Sequence, residues 1–133
     1  MTRTSAPGKP TLDVATPPEF RGGVPGVWSP EDLLVAAAAS CFTVTFAAVA
    51  ERAGVELGAI DVGGVGHVER GEDGRFGFTV IELAVEVETD AGRHELERLV
   101  AEAERLCIVS LALEVPVHVR LGAAYPPRAA LAG

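Results

Sequence analysis

The sequence predicts an α+β fold in which an antiparallel sheet accompanies two helices. Three stretches carry that prediction. Ser29 to Gly54 reads as one long helix with no charge between Leu33 and Ala50. Phe76 to Thr89 alternates Ile81, Leu83, Val85 and Val87 with Glu82, Ala84, Glu86 and Glu88, the period of a strand with one dry face and one wet face. Ala91 to about Leu106 places Leu96, Leu99, Val100, Ala103 and Leu106 at helical spacing and turns its glutamates outward.

The elements follow in chain order. Met1 to Pro10 is polar and lacks periodicity, so it reads as an N-terminal arm. Thr11 to Ala15 is a short strand with Leu12 and Val14 on one face. Thr16 to Trp28 holds three prolines and three glycines and is a loop. The first helix has a clear start: Ser29 at the N-cap, Pro30 at the first helical position, and Glu31 and Asp32 at the positive end of the dipole. Ser29 and Asp32 have capping-box spacing, and Gly54 is a natural stop. A helix apolar on every side has to be buried on every side. Val55 to Gly71 is a strand interrupted by Gly63, Gly64 and Gly66, which mark a bulge or the close approach of another backbone. An Asp-Gly turn at Glu72–Gly74 then leads into the alternating strand. Asp90 is the expected cap of the second helix, Cys107 follows that helix, Ser110 opens a short turn, and Val115 to Leu121 is a closing strand. Residues 122–133 form a loose tail, and the whole chain, 1–133, is expected to be a single domain.

Composition excludes several functions. The formal charge is −8 with no Lys/Arg cluster, which argues against a nucleic-acid or anionic-membrane surface. The N-terminus shows no secretory signal, so the expected compartment is the reducing cytoplasm, where two cysteines are reactive or buried rather than a permanent staple. The first helix is long enough to be weighed as a membrane span, but its alanines, Ser40, Thr43 and Thr45 weaken that reading. The glycines at 63 to 66 are no phosphate loop, because no Gly-Lys-Ser/Thr follows. His67, His94 and His118 lie on different elements without metal-ligand spacing, and neither Ser40 nor Ser110 sits in a nucleophile elbow. No metal or cofactor is called for. What remains is Cys41, in mid-helix, and Cys107. Each is either a reactive thiol or an inert core residue.

The motif Ser29-Pro30-Glu31, the small-residue run ending in Ser40-Cys41-Phe42, and Cys107 with Ser110 resemble the OsmC/Ohr family of peroxide-reducing proteins. The cysteines stand 66 residues apart, which fits that family. Ile108 occupies a position where the family usually carries proline. The resemblance covers residues 11 to 121. It implies antiparallel sheets wrapped around two central helices in an interwoven homodimer, and a thiol peroxidase that reduces organic hydroperoxides, with hydrogen peroxide a further candidate substrate. Cys41 is then the peroxidatic thiolate and Cys107 the resolving thiol. The reductant is a dithiol, which in the family can be a dihydrolipoyl group. Glu31 matches the family's active-site glutamate, and Arg21 matches the arginine that holds the thiolate in the OsmC branch. The Ohr branch takes that arginine from an earlier strand, and Arg3 is the other upstream candidate.

The chemistry asks for these residue types on its own account. A thiol in an apolar helix is pushed up by desolvation, and a guanidinium beside the sulfur reverses this, with a carboxylate orienting the guanidinium. Glu31 and Cys41 are ten residues apart on one helix, about 15 Å along its axis. One arginine does not bridge that span, so Glu31, and with it Arg21, is expected to reach the Cys41 of a second chain. Two other readings stay open: a non-catalytic dimer that binds an apolar ligand in its interface groove, and a redox sensor without turnover.

Overall fold

The computed structural model describes residues 1–122, and the expected loose tail at 123–133 lies outside the described residues. The elements run β1 (Thr2–Thr4), β2 (Leu12–Val14), α1 (Pro30–Arg52), β3 (Ile60–Arg70), β4 (Phe76–Val87), α2 (Arg93–Leu106), α3 (Ile108–Ala112) and β5 (Val117–Leu121). The fold is α+β, as the sequence predicts.

Helix α1 begins as its sequence dictates. The Ser29 hydroxyl accepts from the Asp32 N–H at 3.0 Å, and the Asp32 carboxylate accepts from the Ser29 N–H at 3.0 Å. The two orphan donors are thereby satisfied reciprocally. At the other end Gly54 turns left-handed, with φ of 73°. Its N–H bonds Glu51 O and the Val55 N–H bonds Ala50 O, a Schellman closure.

The β3–β4 hairpin is antiparallel, and its turn is closed by Gly71 N–H to Arg75 O at 2.8 Å with Gly74 at φ 84°. The glycines of β3 have the purpose their spacing predicts, and a register shift falls at His67/Val68. A Cβ on Gly64 would stand 2.9 Å from Val35 Cγ1, and one on Gly66 would stand 2.9 Å from Val35 Cγ2 and 2.5 Å from the Phe78 ring. The bare backbone lets α1 lie directly on β3. Ile81, Leu83 and Val85 of β4 point into the same core as Val35, Phe42 and Phe46 of α1 and Leu99 and Ala103 of α2. Phe42 and Phe46 stack with ring centroids 5.6 Å apart.

Four details depart from the sequence reading. The arm is not wholly irregular: Thr2–Thr4 pairs antiparallel with Leu12–Val14, Thr2 opposite Val14 and Thr4 opposite Leu12. The main sheet is mixed. Strand β5 joins β4 in parallel, Val117 opposite Ile81 and Leu121 opposite Val85, because α2 carries the chain back to its starting end. Asp90 does not cap α2, which starts two residues later with Gly92 as a cap lacking any side-chain bond. Thr89 organises that corner instead, donating to Glu56 O and accepting from the Ala91 N–H. Ala84, expected on the wet face, is buried, since it sits in the central strand between Gly63 and Arg120.

Helix α1 is long and apolar enough to cross a membrane by length and composition, yet it is packed on β3 and α2. Within one chain it is not covered on every side. Val35, Ala38, Phe42, Phe46 and Val49 are buried, while Ser40, Val44, Ala47 and Ala48 are exposed, Val44 by 66%. Strand β3 and helices α2 and α3 cover one side of the helix and leave the other bare.

Candidate active site

Helix α2 ends at Cys107 because the backbone there is extended, with φ −66° and ψ 109°. The break turns the chain into α3 and packs α3 against α1. Cys107 is fully buried at the corner, and Cys41 is half-buried beside it on α1. Both are free thiols. Burial pushes the Cys41 thiol up. Hydrogen bonds from the Val109 backbone, the Cys107 and Thr45 side chains and the Ile108 backbone outweigh it, so Cys41 lies below the ordinary cysteine range. The Ser110 hydroxyl in turn donates to Cys107 Sγ at 3.4 Å. Ser110 thus holds the same Cys107 side chain that acts on Cys41.

Glu31 stands elsewhere. It lines a groove of about 700 Å³ on the far side of α1, together with Glu19, Phe20, Val35, Val44 and Phe76. Arg21 follows Phe20 in the Thr16–Trp28 loop, is exposed, and makes no hydrogen bond or ion pair among the described residues. Arg3 is exposed on β1, opposite Asp13. The fold therefore brings Cys41 to Cys107, and brings Glu31 to the loop that carries Arg21. It does not bring the two pairs together within one chain.

Three contributors to the thiol's setting carry no motif in the sequence reading: Thr45, Ile108 and Val109. Thr45 is one helical turn beyond Cys41, a spacing that puts the two on one face, and the signal was there to read. The backbone donors of Ile108 and Val109 carry no side-chain signature, so no motif betrays them. The histidines are placed apart from the thiols: His67 pairs with Glu82 at 3.6 Å on the outer face of the sheet, and His118 lies close enough to Glu104 to act on its charge. Burial pushes Glu104 up, and the His118 charge opposes that.

The sequence model of the OsmC-like proteins matches residues 23–122, three quarters of the chain. The chain belongs to the OsmC-like protein family. Glu31, Cys41 and Cys107 fall inside the matched span, and Arg21 falls two residues before it. This OsmC-like chain is similar in structure to an organic hydroperoxide resistance protein from Legionella pneumophila. The identity is 29%, the TM-score 0.73, and the match covers 86% of this chain and 81% of that one. It is also similar to the organic hydroperoxide resistance protein OhrB of Bacillus subtilis, at 28% identity and TM-score 0.65 over 72% and 71% of the two chains. An OsmC-like protein of unknown function from Vibrio cholerae shares the fold with a TM-score of 0.78 at 20% identity, over 87% and 80%. No curated protein matches the sequence.

Proposed function

We propose that the chain is a cytoplasmic, cysteine-based peroxidase that reduces organic hydroperoxides with electrons from a dithiol. The observation that carries this reading is the setting of Cys41: a half-buried thiol held below its usual range by donors that include a second cysteine. Two solved structures like this one, at 28% and 29% identity, are of organic hydroperoxide resistance proteins.

The reaction takes three steps. The Cys41 thiolate attacks the outer peroxide oxygen; an S–O bond forms, the O–O bond breaks, and the departing alkoxide takes a proton to leave as an alcohol. Cys107 attacks the resulting sulfenic sulfur, an S–S bond forms, and the hydroxyl leaves as water with the Cys107 proton. An external dithiol, such as a dihydrolipoyl group, then gives two electrons and two protons and restores both thiols. The apolar surroundings of Cys41 favour peroxides with hydrocarbon bodies.

The active unit in this reading is a homodimer. The bare side of α1 and the groove beside Glu31 are apolar, and Ile108 and Leu111 of α3, next to the thiols, are 76% and 71% exposed. Seating α3 of one chain in the groove of the other buries both surfaces. It also carries Glu31 and the Arg21 loop of the second chain toward Cys41 of the first. Arg21 then holds the thiolate and Glu31 orients Arg21.

The test is the free-thiol count and intact mass after one equivalent of cumene hydroperoxide, on wild type and Cys107→Ser. Wild type loses both thiols and gains no oxygen, while the mutant stops at a sulfenic acid, 16 Da heavier by the mass of one oxygen. Survival of both thiols in wild type overturns the peroxidase reading.

A further inference from the structure

The loop that carries Arg21 has no regular secondary structure, yet it is tightly built. The Phe20 N–H bonds Pro17 O at 3.0 Å, the Gly23 N–H bonds Phe20 O at 3.0 Å, and the Val24 N–H bonds Thr16 O at 3.2 Å. Two turns thus share Phe20 as their corner. Gly22 is left-handed at φ 81°, and a Cβ on Gly23 would collide with the Pro17 carbonyl, so the second turn needs both glycines. Arg21 follows directly on the shared corner. Its backbone is fixed relative to Phe20, and wherever Phe20 is anchored, Arg21 is aimed.

Phe20 is anchored on the β3–β4 hairpin. Its ring meets Phe76 edge-on, with centroids 5.2 Å apart and planes at 81°. Phe76, the first residue of β4, is held from another side: the Arg70 guanidinium lies 5.7 Å from its ring centroid. Arg70 Nε donates to Gly74 O at 3.2 Å, so this cation is tied to its own hairpin. Phe20 and Phe76 both line the groove that holds Glu31. One aromatic contact therefore docks the Arg21 loop on the wall where Glu31 stands.

We propose that Phe76, acting through Phe20, is the positioning residue for Arg21. The inference rests on the reading of Arg21 as the group that holds the Cys41 thiolate. Phe76 touches no reacting atom. It fixes how much of the time the loop presents Arg21 beside Glu31, and with it the fraction of sites ready to react.

The experiment measures kcat/KM for cumene hydroperoxide with dithiothreitol on the full-length protein and five variants: Phe76→Ala, Phe76→Tyr, Phe20→Ala, Arg21→Ala, and Phe76→Ala with Arg21→Ala. Sedimentation reports assembly for each. Phe76→Ala is expected to lower kcat/KM by roughly threefold to tenfold, the shift in a loop equilibrium that one edge-on aromatic pair can hold. Phe20→Ala is expected to do the same from the loop side, and Phe76→Tyr to restore the rate. In the Arg21→Ala background, Phe76→Ala is expected to cost nothing more. If Arg21→Ala slows the enzyme while Phe76→Ala and Phe20→Ala do not, the positioning role is overturned and the peroxidase reading stands. An additive loss in the Arg21→Ala background, or loss of assembly in both phenylalanine variants, overturns it too. If Arg21→Ala leaves the rate unchanged, the assignment of Arg21 fails and Phe76 has nothing to position.

Discussion

The side chain of buried Cys107 lowers the half-buried Cys41 thiol below the ordinary cysteine range, and hydrogen-bonding groups of Thr45 and the start of α3 act on the same sulfur in the same direction. These groups favour the charged form of Cys41 over the neutral one. The sign follows: a thiol whose folded value is depressed holds its thiolate down to that value and loses it as pH falls further. The second-order rate with cumene hydroperoxide is therefore expected to rise with pH and to level off below the ordinary cysteine range. Thr45→Val removes one donor and is expected to move the midpoint upward. Thiolate absorbance near 240 nm, followed across pH, checks both statements.

Ser110 bears on the second step rather than the first. Its hydroxyl holds Cys107, and a neutral hydrogen bond contributes about 1 kcal/mol, or roughly fivefold in a rate. Ser110→Ala is expected to slow disulfide formation by about that factor and to leave the loss of peroxide unchanged. Rapid mixing that resolves the sulfenic acid from the disulfide separates the two steps.

The exposed side of α1 predicts assembly. Val44 is 66% exposed in the middle of an uncharged helix and lines the groove beside Glu31. Val44→Glu places a charge on the surface proposed to meet the second chain, where an unpaired buried charge costs several kcal/mol. Sedimentation is expected to show a dimer for wild type and a monomer for Val44→Glu, with peroxidase activity lost alongside. A wild type that sediments as a monomer at micromolar concentration removes the shared site.

Close approach at Val35 predicts a stability cost. Gly66→Ala puts a methyl 2.5 Å from the Phe78 ring and 2.9 Å from Val35 Cγ2. Overpacking of this kind costs about 1–3 kcal/mol. Gly77→Ala, where nothing lies within 4 Å, is the control in the same hairpin. Chemical denaturation is expected to separate the two by at least about 1 kcal/mol.

Much of this architecture was legible in the residues. Ser29, Pro30 and Asp32 announce the start of α1, and the glycines of β3 announce that something lies on them. The alternation from Ile81 to Val87 names the buried face of β4. What eluded the sequence was pairing between distant partners. Nothing local in Val117–Leu121 says that it lies parallel to β4, because that direction is set by the helix between them. Thr2–Thr4 is too short and too polar to show a strand period. Asp90 has the right chemistry for a cap, but Thr89 is tied to Glu56 and fixes the corner one residue earlier. For the site, the two cysteines and Glu31 were visible as motif residues. Their division between opposite sides of α1 was visible only in part, through the length of the helix, and the backbone donors at Ile108 and Val109 not at all.

The parallel seating of β5 on β4 has a consequence in time. The β3–β4 hairpin closes through one tight turn, and its contacts are local, so it forms within microseconds of collapse. Strand β5 has no such shortcut. Its register on Ile81 to Val85 exists only after α2 and α3 have folded and carried the chain back, so the entropy of closing that long loop falls due before any ladder bond rewards it. Because Cys107 lies in that same returning segment, the second thiol is expected to reach the first late in folding. Pulse-labelled hydrogen exchange should find the amides of β3 and β4 protected before those of β5. In a newly made chain, then, Cys41 is expected to stand on its helix before Cys107 reaches it, so the two thiols meet only once the returning segment is in place.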